Sequence, residues 1–175
     1  MDVARELIRP SSTSASPLPP YRHWRDSWML WRGSHWSETD VASVRSWLYQ
    51  RLERSVYLEV SKTGVMVEKP WAPTRSKISD LLEALAAVLH LDSAVDPPAW
   101  LSGGVSPPFV ACANGLLDPF ARVLYGHSPS YFNLISVPFE WDPAATCPAW
   151  QSFLRSCWPD DPESIVCLQQ WFGYV

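Results

Sequence analysis

The sequence predicts an α+β fold in which short helices pack on a small antiparallel sheet that contains a hairpin. Two stretches repeat apolar residues at helical spacing, and two later apolar runs are joined by an Asp-Pro turn typical of a hairpin. The 175 residues include 17 Pro, which limits the length of regular elements and favours ordered loops. With 47% hydrophobic residues, a chain of this length fits one domain, or two small domains that share a core.

The amino-terminal segment differs in composition from the rest of the chain. The stretch RPSSTSASPLPP (9–20) is rich in Ser and Pro and has no apolar periodicity, so residues 1–20 are expected to form a disordered tail or linker. Residues 21–175 are expected to form the folded domain. A long Pro- and Gly-rich loop divides this domain into the halves 21–100 and 108–175.

The first half predicts a short strand followed by two helices. Residues Trp28 to Trp31 form an apolar strand that ends at a Gly-Ser turn. Residues 37–60 predict the first helix, because Val and Leu recur at helical spacing after a capping-box-like start at Ser37 and Asp40. Residues 73–91 predict the second helix, and VMVEK between the two helices predicts a short strand.

The second half predicts a hairpin, one more strand and two short helices. The runs FVACANGLLD and ARVLYGH form the hairpin, joined around Asp118. NLISVPFEWD (133–142) predicts a further strand, in which Pro138 indicates an edge or a bulge. The first helix has Pro148 in its first turn, and the second has Asp161 as its N-cap residue.

Charge is distributed unevenly along the chain. The net charge is −4, yet residues 1–80 carry 12 Lys and Arg against 9 Asp and Glu, whereas residues 81–175 carry 2 against 9. A basic front half and an acidic back half are compatible with two faces that have different partners. Chance and a solvated surface explain the same pattern, because the basic excess is small beside that of a dedicated nucleic-acid binder.

The sequence contains no recognisable catalytic constellation. Cys112 and His127 could be proposed as a nucleophile and a base, but Cys112 lies in an apolar strand pattern that is typical of a buried structural thiol. The acidic residues Asp160, Asp161 and Glu163 cluster at a helix start, where capping explains them better than metal binding. No phosphate-binding loop is present, so the chain is predicted to be non-enzymatic, with no metal and no cofactor.

The cysteines and the amino terminus indicate a cellular compartment. The residues Cys112, Cys147, Cys157 and Cys167 form no C-x-x-C pair and match no standard zinc spacing. The amino terminus has no apolar signal core, and no apolar run reaches the length of a membrane span. These features predict a cytoplasmic protein with reduced thiols.

The stretch YRHWRDSWMLWRGSHW (21–36) is the candidate nucleic-acid interface, since interleaved cations and aromatic rings can contact phosphates and stack on bases. The candidate contact residues are Arg22, Trp24, Arg25, Trp28, Trp31 and Arg32, with Arg45, Arg51 and Arg54 behind them. The alternative is an aromatic core edge across which the arginine stems lie.

An ordered set of short motifs in the second half resembles a known family. The motifs are Asn114-Gly115, His127-Ser128-Pro129, Phe139, Asp142-Pro143, Ala145, Cys147-Pro148, Trp150, Phe153-Leu154, Leu168-Gln169 and Gly173-Tyr174. Together they resemble the helper domain that precedes the superfamily-three helicase module in phage, plasmid and poxvirus primase-helicases. The resemblance describes the same domain as the C-terminal domain of phage/plasmid-type DNA primases. The resemblance is strong over residues 108–175, and residues 21–100 fit only in layout.

The resemblance implies a non-catalytic module of a phage or mobile-element replication protein. Such a module links the primase to the ring ATPase, aids assembly and guides single-stranded DNA; the parent protein would be an ATP-dependent helicase and primase. The resemblance places the ATPase directly after Gly173-Tyr174, so the chain is expected to stop where that module begins. The expected partners are the ATPase module or another protein, single-stranded DNA and further copies of the chain, in the host cytoplasm.

A second function stays open at this point. The chain could be a free-standing phage interaction protein that binds a replication or repressor partner. The Ser- and Pro-rich linker and the apolar last turn favour the first function, whereas a stop codon after Val175 would favour the second.

Overall fold

The computed structural model confirms the α+β class. It describes residues 4, 5, 7, 21–61, 64–103 and 108–174, and these form four α-helices and eleven β-strands in several small, mostly antiparallel sheets. The chain divides into two compact units, Met1–Glu140 and Trp141–Val175.

The largest sheet of the first unit has four strands in the order β3-β2-β1-β6. These are β1 (Tyr21–Trp24), β2 (Ser27–Trp31), β3 (Trp36–Thr39) and β6 (His90–Leu91). The first three strands are antiparallel, and β6 runs parallel to β1. The predicted strand at 28–31 is therefore confirmed as an inner strand of a larger, mostly antiparallel sheet.

Two helices cover one side of this sheet, which we call the helix side. Helix α1 (Val41–Leu52) begins after Asp40, whose carboxylate accepts from the Ser43 amide at 2.7 Å, and α2 (Arg75–Val88) begins after Thr74. Their apolar stripes pack with Tyr21 and Trp28 of the sheet in one core. The buried helix residues are Val44, Leu48, Leu52, Ile78, Leu81, Leu82 and Leu85. The apolar periodicity thus identified the buried face of both helices.

The first helix is shorter than predicted at both ends. Residues 37–39 belong to β3, and residues 56–60 form strand β4 (Val56–Val60), which pairs with β5 (Met66–Pro70). Val56 continues the helical spacing of apolar residues, but the β-branched and aromatic run VYLEV also fits a strand. Pairing with β5 decides between the two, so the prediction of helix to residue 60 is wrong, whereas the short strand predicted at VMVEK is confirmed.

The first unit also contains a three-stranded sheet that includes the predicted hairpin. The predicted hairpin is confirmed as β9 (Gly115–Asp118) and β10 (Val123–Tyr125), and β8 (Val110–Cys112) pairs with β9 on its other edge. The Asp118 carboxylate accepts from the Phe120 and Ala121 amides at 2.9 Å, which forms the turn that the Asp-Pro pair indicated.

The halves 21–100 and 108–175 are joined by strand pairing. Strand β7 (Ala99–Trp100) pairs with β11 (Tyr131–Phe132), so both halves contribute to one sheet. Phe132 also packs beside Trp24 and Trp36 on the far side of the large sheet, opposite the helices. The boundary between the two compact units lies after Glu140, not in the Pro- and Gly-rich loop that separates these halves.

The strand predicted at 133–142 is not formed. This stretch is extended loop, although the Val137 amide donates to the Ala111 carbonyl at 2.8 Å and the Ala113 amide donates to the Phe139 carbonyl at 2.9 Å. Only isolated hydrogen bonds connect it to β8, because Pro138 has no amide hydrogen with which to continue a ladder. The prediction of a strand at 133–142 is therefore wrong.

Gly115 is required by a close approach of the backbone. It has φ of 157°, and a Cβ at this position would lie 2.3 Å from the Tyr125 carbonyl oxygen. Any side chain at this position would therefore push β9 away from β10.

The second unit consists of the two predicted helices. Helix α3 (Pro148–Cys157) has Pro in its first turn, and α4 (Pro162–Tyr174) follows Asp161. The Asp161 carboxylate accepts from the Ser164 amide at 3.0 Å and from the Ser164 hydroxyl at 2.6 Å, as expected for an N-cap.

Most of the predicted tail, residues 1–20, lies outside the described residues. Of the three that are described, Ala4 is buried and Leu7 packs against the core between the sheet and the helices.

Candidate nucleic-acid interface

The arginine- and tryptophan-rich stretch forms the hairpin of β1 and β2. Its two-residue turn is Arg25-Asp26, and both residues have positive φ, 48° and 62°. Such turns match the twist of antiparallel strands, but Gly and Asn are the residues that usually adopt them. An arginine is therefore held at the tip of the hairpin in a backbone conformation that few residues adopt readily.

The tryptophans of the hairpin are mostly buried. Trp24 is 9% exposed and lies on the far side of the sheet, whereas Trp28 is 5% exposed and lies on the helix side. Trp31 is partly buried, with its ring centroid 5.5 Å from that of Trp36. The rings of Trp24 and Trp28 therefore do not offer free faces to bases, and they fit the alternative of an aromatic core.

The two arginines of β1 and its turn lie over indole rings. The guanidinium carbon of Arg25 is 4.2 Å from the centroid of the Trp24 ring, and that of Arg22 is 5.5 Å from the centroid of the Trp36 ring. The ring faces attract a cation and restrict its side chain. The tryptophans thus hold guanidinium groups in place, a role different from base stacking.

Arg22 and Arg25 differ in their access to solvent. Arg22 is half-buried, its Nη1 donates to the Tyr21 carbonyl at 2.9 Å, and burial lowers the pKa of its guanidinium. Arg25 is exposed, and its Nε donates to the Ser93 carbonyl at 3.1 Å. Its Nη2 lies 3.6 Å from a carboxylate oxygen of Asp96, which is itself highly exposed. An exposed ion pair of this kind contributes little to stability, so an anionic ligand could replace Asp96 at low cost.

The other candidate arginines lie elsewhere on the first unit. Arg32 Nε donates to the Ser37 hydroxyl at 2.8 Å, and Arg45 Nη1 donates to the Ser79 hydroxyl at 3.2 Å. Arg51 and Arg54 are exposed at the carboxyl-terminal end of α1. Arg22 and Arg25 therefore lie on the far side of the sheet, over Trp36 and Trp24. The remaining candidate arginines lie beside or along the helices.

Cys112 and His127 do not form a catalytic pair. Cys112 is 1% exposed, and burial raises the pKa of its thiol, which favours the protonated form rather than the thiolate that a nucleophile requires. Both ring nitrogens of His127 are buried without a hydrogen-bond partner in the described part of the chain. The thiol is accordingly a structural core group.

We expect the substitution Cys112→Ser to lower the free energy of unfolding by about 1–3 kcal/mol, because the hydroxyl would be buried without an assured partner. Thermal denaturation checks this result. The exposed Cys157→Ser serves as the control and should change stability by less than about 0.5 kcal/mol. Rapid labelling of Cys112 by a thiol reagent in the folded protein would contradict the assignment.

The acidic cluster at the start of α4 has a capping role. The hydrogen bonds from the side chain and backbone of Ser164 lower the pKa of Asp161, which keeps its carboxylate ionised at the helix start. Within the described residues, no group of three or more His, Cys, Asp and Glu is arranged to hold a metal ion. None of the described helices is both long enough and apolar enough to cross a membrane.

The fold and the hairpin define a class: a small α+β module that holds two guanidinium groups over indole rings. A family model described as "D5 N terminal like" matches residues 21–159. The chain belongs to this family, the N-terminal domain of D5-like phage and poxvirus primase-helicases. Comparison with curated proteins and with solved structures returned no match.

The family match confirms the predicted resemblance and extends it. The sequence motifs were specific only over 108–175, whereas the match begins at Tyr21 and includes the whole first half. The match ends at residue 159, so the motifs Leu168-Gln169 and Gly173-Tyr174 lie outside it. The expected position before a helicase module fits the family. The accompanying description as a C-terminal primase domain is corrected, since the family is defined by the N-terminal part of D5-like proteins.

Proposed function

We propose that the chain is a non-catalytic module of a phage or mobile-element primase-helicase in the host cytoplasm. It links the primase to the ring ATPase, aids assembly of the ring and guides single-stranded DNA. Membership of the D5 N-terminal family supports the general role. The observation that carries the assembly role is an uncovered apolar surface on the hairpin of β4 and β5.

The β4–β5 hairpin has a mainly apolar face, which we call the apolar face, and a mixed face, which we call the polar face. Cross-strand partners share a face, so Val56, Leu58 and Val60 lie together with Met66, and their exposed fractions range from 58% to 64%. The opposite face carries the ion pair between Glu59 and Lys69. Pro70 and Glu68 complete the apolar face, and Tyr57 and Val67 complete the polar face. All residues of both strands are exposed to solvent.

An isolated two-stranded hairpin is at best marginally stable in water, and an uncovered row of apolar side chains favours association. Covering a side chain such as Leu58 contributes about 1.5–3 kcal/mol. Ring assembly requires each copy to contact its neighbour through a defined surface. We therefore assign the apolar face to a second copy of the chain.

Sedimentation velocity over a range of protein concentrations tests this assignment. The wild-type chain should self-associate, and Leu58→Lys should raise the dissociation constant by about tenfold or more, because a lysine would lose its hydration in the contact. Val67→Lys is the matched control. Val67 lies on the polar face, and both positions face a glutamate across the hairpin, Glu68 for Leu58 and Glu59 for Val67.

Equal effects of the two lysine substitutions would contradict the assignment. A wild-type chain that stays monomeric at every concentration would also contradict it, and would favour a free-standing protein that binds a different partner. Circular dichroism of each variant shows whether the fold is retained.

The strand-guiding role rests on exposed arginines of the first unit. Arg25 at the hairpin tip and Arg51 and Arg54 at the end of α1 are all exposed. Phosphate contacts of this kind supply affinity without sequence preference. Because the whole chain has a net charge of −4, a single copy should bind weakly, and several copies in one assembly would bind more tightly through avidity.

A further inference from the structure

A small pocket opens on the far side of the large sheet, next to the hairpin tip. It has a volume of about 320 Å³, and its apolar wall is formed by Trp24, Met29 and Leu134. Its polar lining residues are Arg25, Ser27, Ser37 and Glu38. This volume is at the lower end of the range of about 300–1,000 Å³ that small-molecule sites occupy, so it suits one compact ring system.

The polar groups of the pocket are placed by the sheet register. Met29 pairs with Glu38 and Trp24 pairs with Ser27, so all four residues project from the same side. The Ser27 hydroxyl donates to Glu38 Oε1 at 2.7 Å, which orients the carboxylate. Glu38 is exposed, and its second oxygen makes none of the hydrogen bonds identified in the described residues. The pocket thus presents an oriented hydrogen-bond acceptor beside a cation.

Arg25 supplies a flat surface at the pocket. Its guanidinium carbon lies 4.2 Å from the centroid of the Trp24 ring, so the indole holds the cation at the edge of the pocket. Its ion-pair partner Asp96 is at 3.6 Å and is highly exposed. Guanidinium planes stack on nucleobases in single-stranded nucleic acids, and a base on Arg25 would continue the stack that begins at Trp24.

We propose that this pocket binds one guanine base of single-stranded DNA, an inference that rests on the proposed strand-guiding function. Guanine stacks on Arg25, and its adjacent N1 and N2 hydrogen-bond donors meet the carboxylate of Glu38. Adenine and cytosine have only an amino group as donor on the same edge, and thymine has only an imino group, so they satisfy the carboxylate less completely. The cationic Arg25 offsets the repulsion between Glu38 and the phosphates of the strand.

Competition binding with the full chain tests the proposal. A labelled oligothymidylate of about 15 nucleotides is displaced by the same strand or by strands in which a few separated thymidines are replaced by dG or dA. The wild-type chain should prefer the dG strand over the unsubstituted strand by about fivefold or more. Glu38→Gln should reduce this preference to less than about twofold, because the amide retains only one acceptor atom.

The preference ratio is the readout, since removal of one negative charge strengthens the binding of every strand. Glu83→Gln on the exposed surface of α2 makes the same change of charge away from the pocket and should leave the ratio unchanged. Equal wild-type affinities for the dG, dA and unsubstituted strands would overturn the pocket proposal alone, as would a dG preference that survives Glu38→Gln. Absence of binding to any strand would overturn both the pocket and the strand-guiding role.

Discussion

Replacement of Trp36 by alanine is expected to lower the free energy of unfolding by about 3–5 kcal/mol, the range observed when a buried Trp is truncated. Trp36 is completely buried, and its ring packs against Trp31 at 5.5 Å and Phe132 at 6.1 Å between ring centroids. The substitution would also remove the ring beneath the half-buried guanidinium of Arg22. Urea denaturation followed by circular dichroism measures the loss.

Two variants separate the causes of this loss. Trp36→Phe keeps an aromatic ring and removes an indole N–H that is buried without a partner among the described residues, so it should cost less than half as much. Phe120→Ala at a site that is 78% exposed should change stability by less than about 0.5 kcal/mol. Similar losses for Trp36→Ala and Phe120→Ala would show that the far side of the sheet is not a core.

The helices could be predicted from sequence because their signals are local. Asp161 caps its helix as its position indicated, and the apolar spacing identified most of the buried helix residues. The capping box expected at Ser37 and Asp40 is not formed, because Ser37 lies in β3 and Asp40 is itself the N-cap. The strand at 56–60 could not be separated from the preceding helix in this way. Its alternate residues Val56, Leu58 and Val60 mark a strand face, but only pairing with residues 66–70 decides the conformation.

The candidate interface was predicted in composition but not in geometry. Alternation along a strand places Arg22 and Trp24 on one side, yet nothing local shows that this side is covered by Phe132 from a distant strand. Trp24 is therefore buried, and the cation lies over its ring. The proposed base contact Glu38 is absent from the candidate residues for a related reason. Its two-residue spacing from Trp36 was a usable signal, whereas its proximity to Ser27 depends on the pairing of β2 with β3.

The strand-guiding proposal predicts a loss of DNA affinity when exposed arginines are reversed. The double variant Arg25→Glu/Arg51→Glu should bind a labelled single strand about tenfold more weakly at low salt. It should also reduce the slope of log affinity against log salt by about 1.4, because each phosphate contact on a single strand contributes about 0.7. Fluorescence anisotropy at several salt concentrations measures both quantities.

The chain offers a closely matched control for this variant in Arg122→Glu/Arg155→Glu. Arg122, like Arg25, is an exposed turn residue with positive φ, 55° against 48°. Arg155, like Arg51, is an exposed basic residue in the last turn of a helix. Both double variants change the net charge by the same amount, so general repulsion of the strand affects them equally. Specific phosphate contacts at Arg25 and Arg51 require a loss that is larger, and more dependent on salt, than the loss in the control. Equal losses of DNA affinity would show that net charge alone explains the binding. The assembly surface of the β4–β5 hairpin would then remain as the functional feature of the first unit.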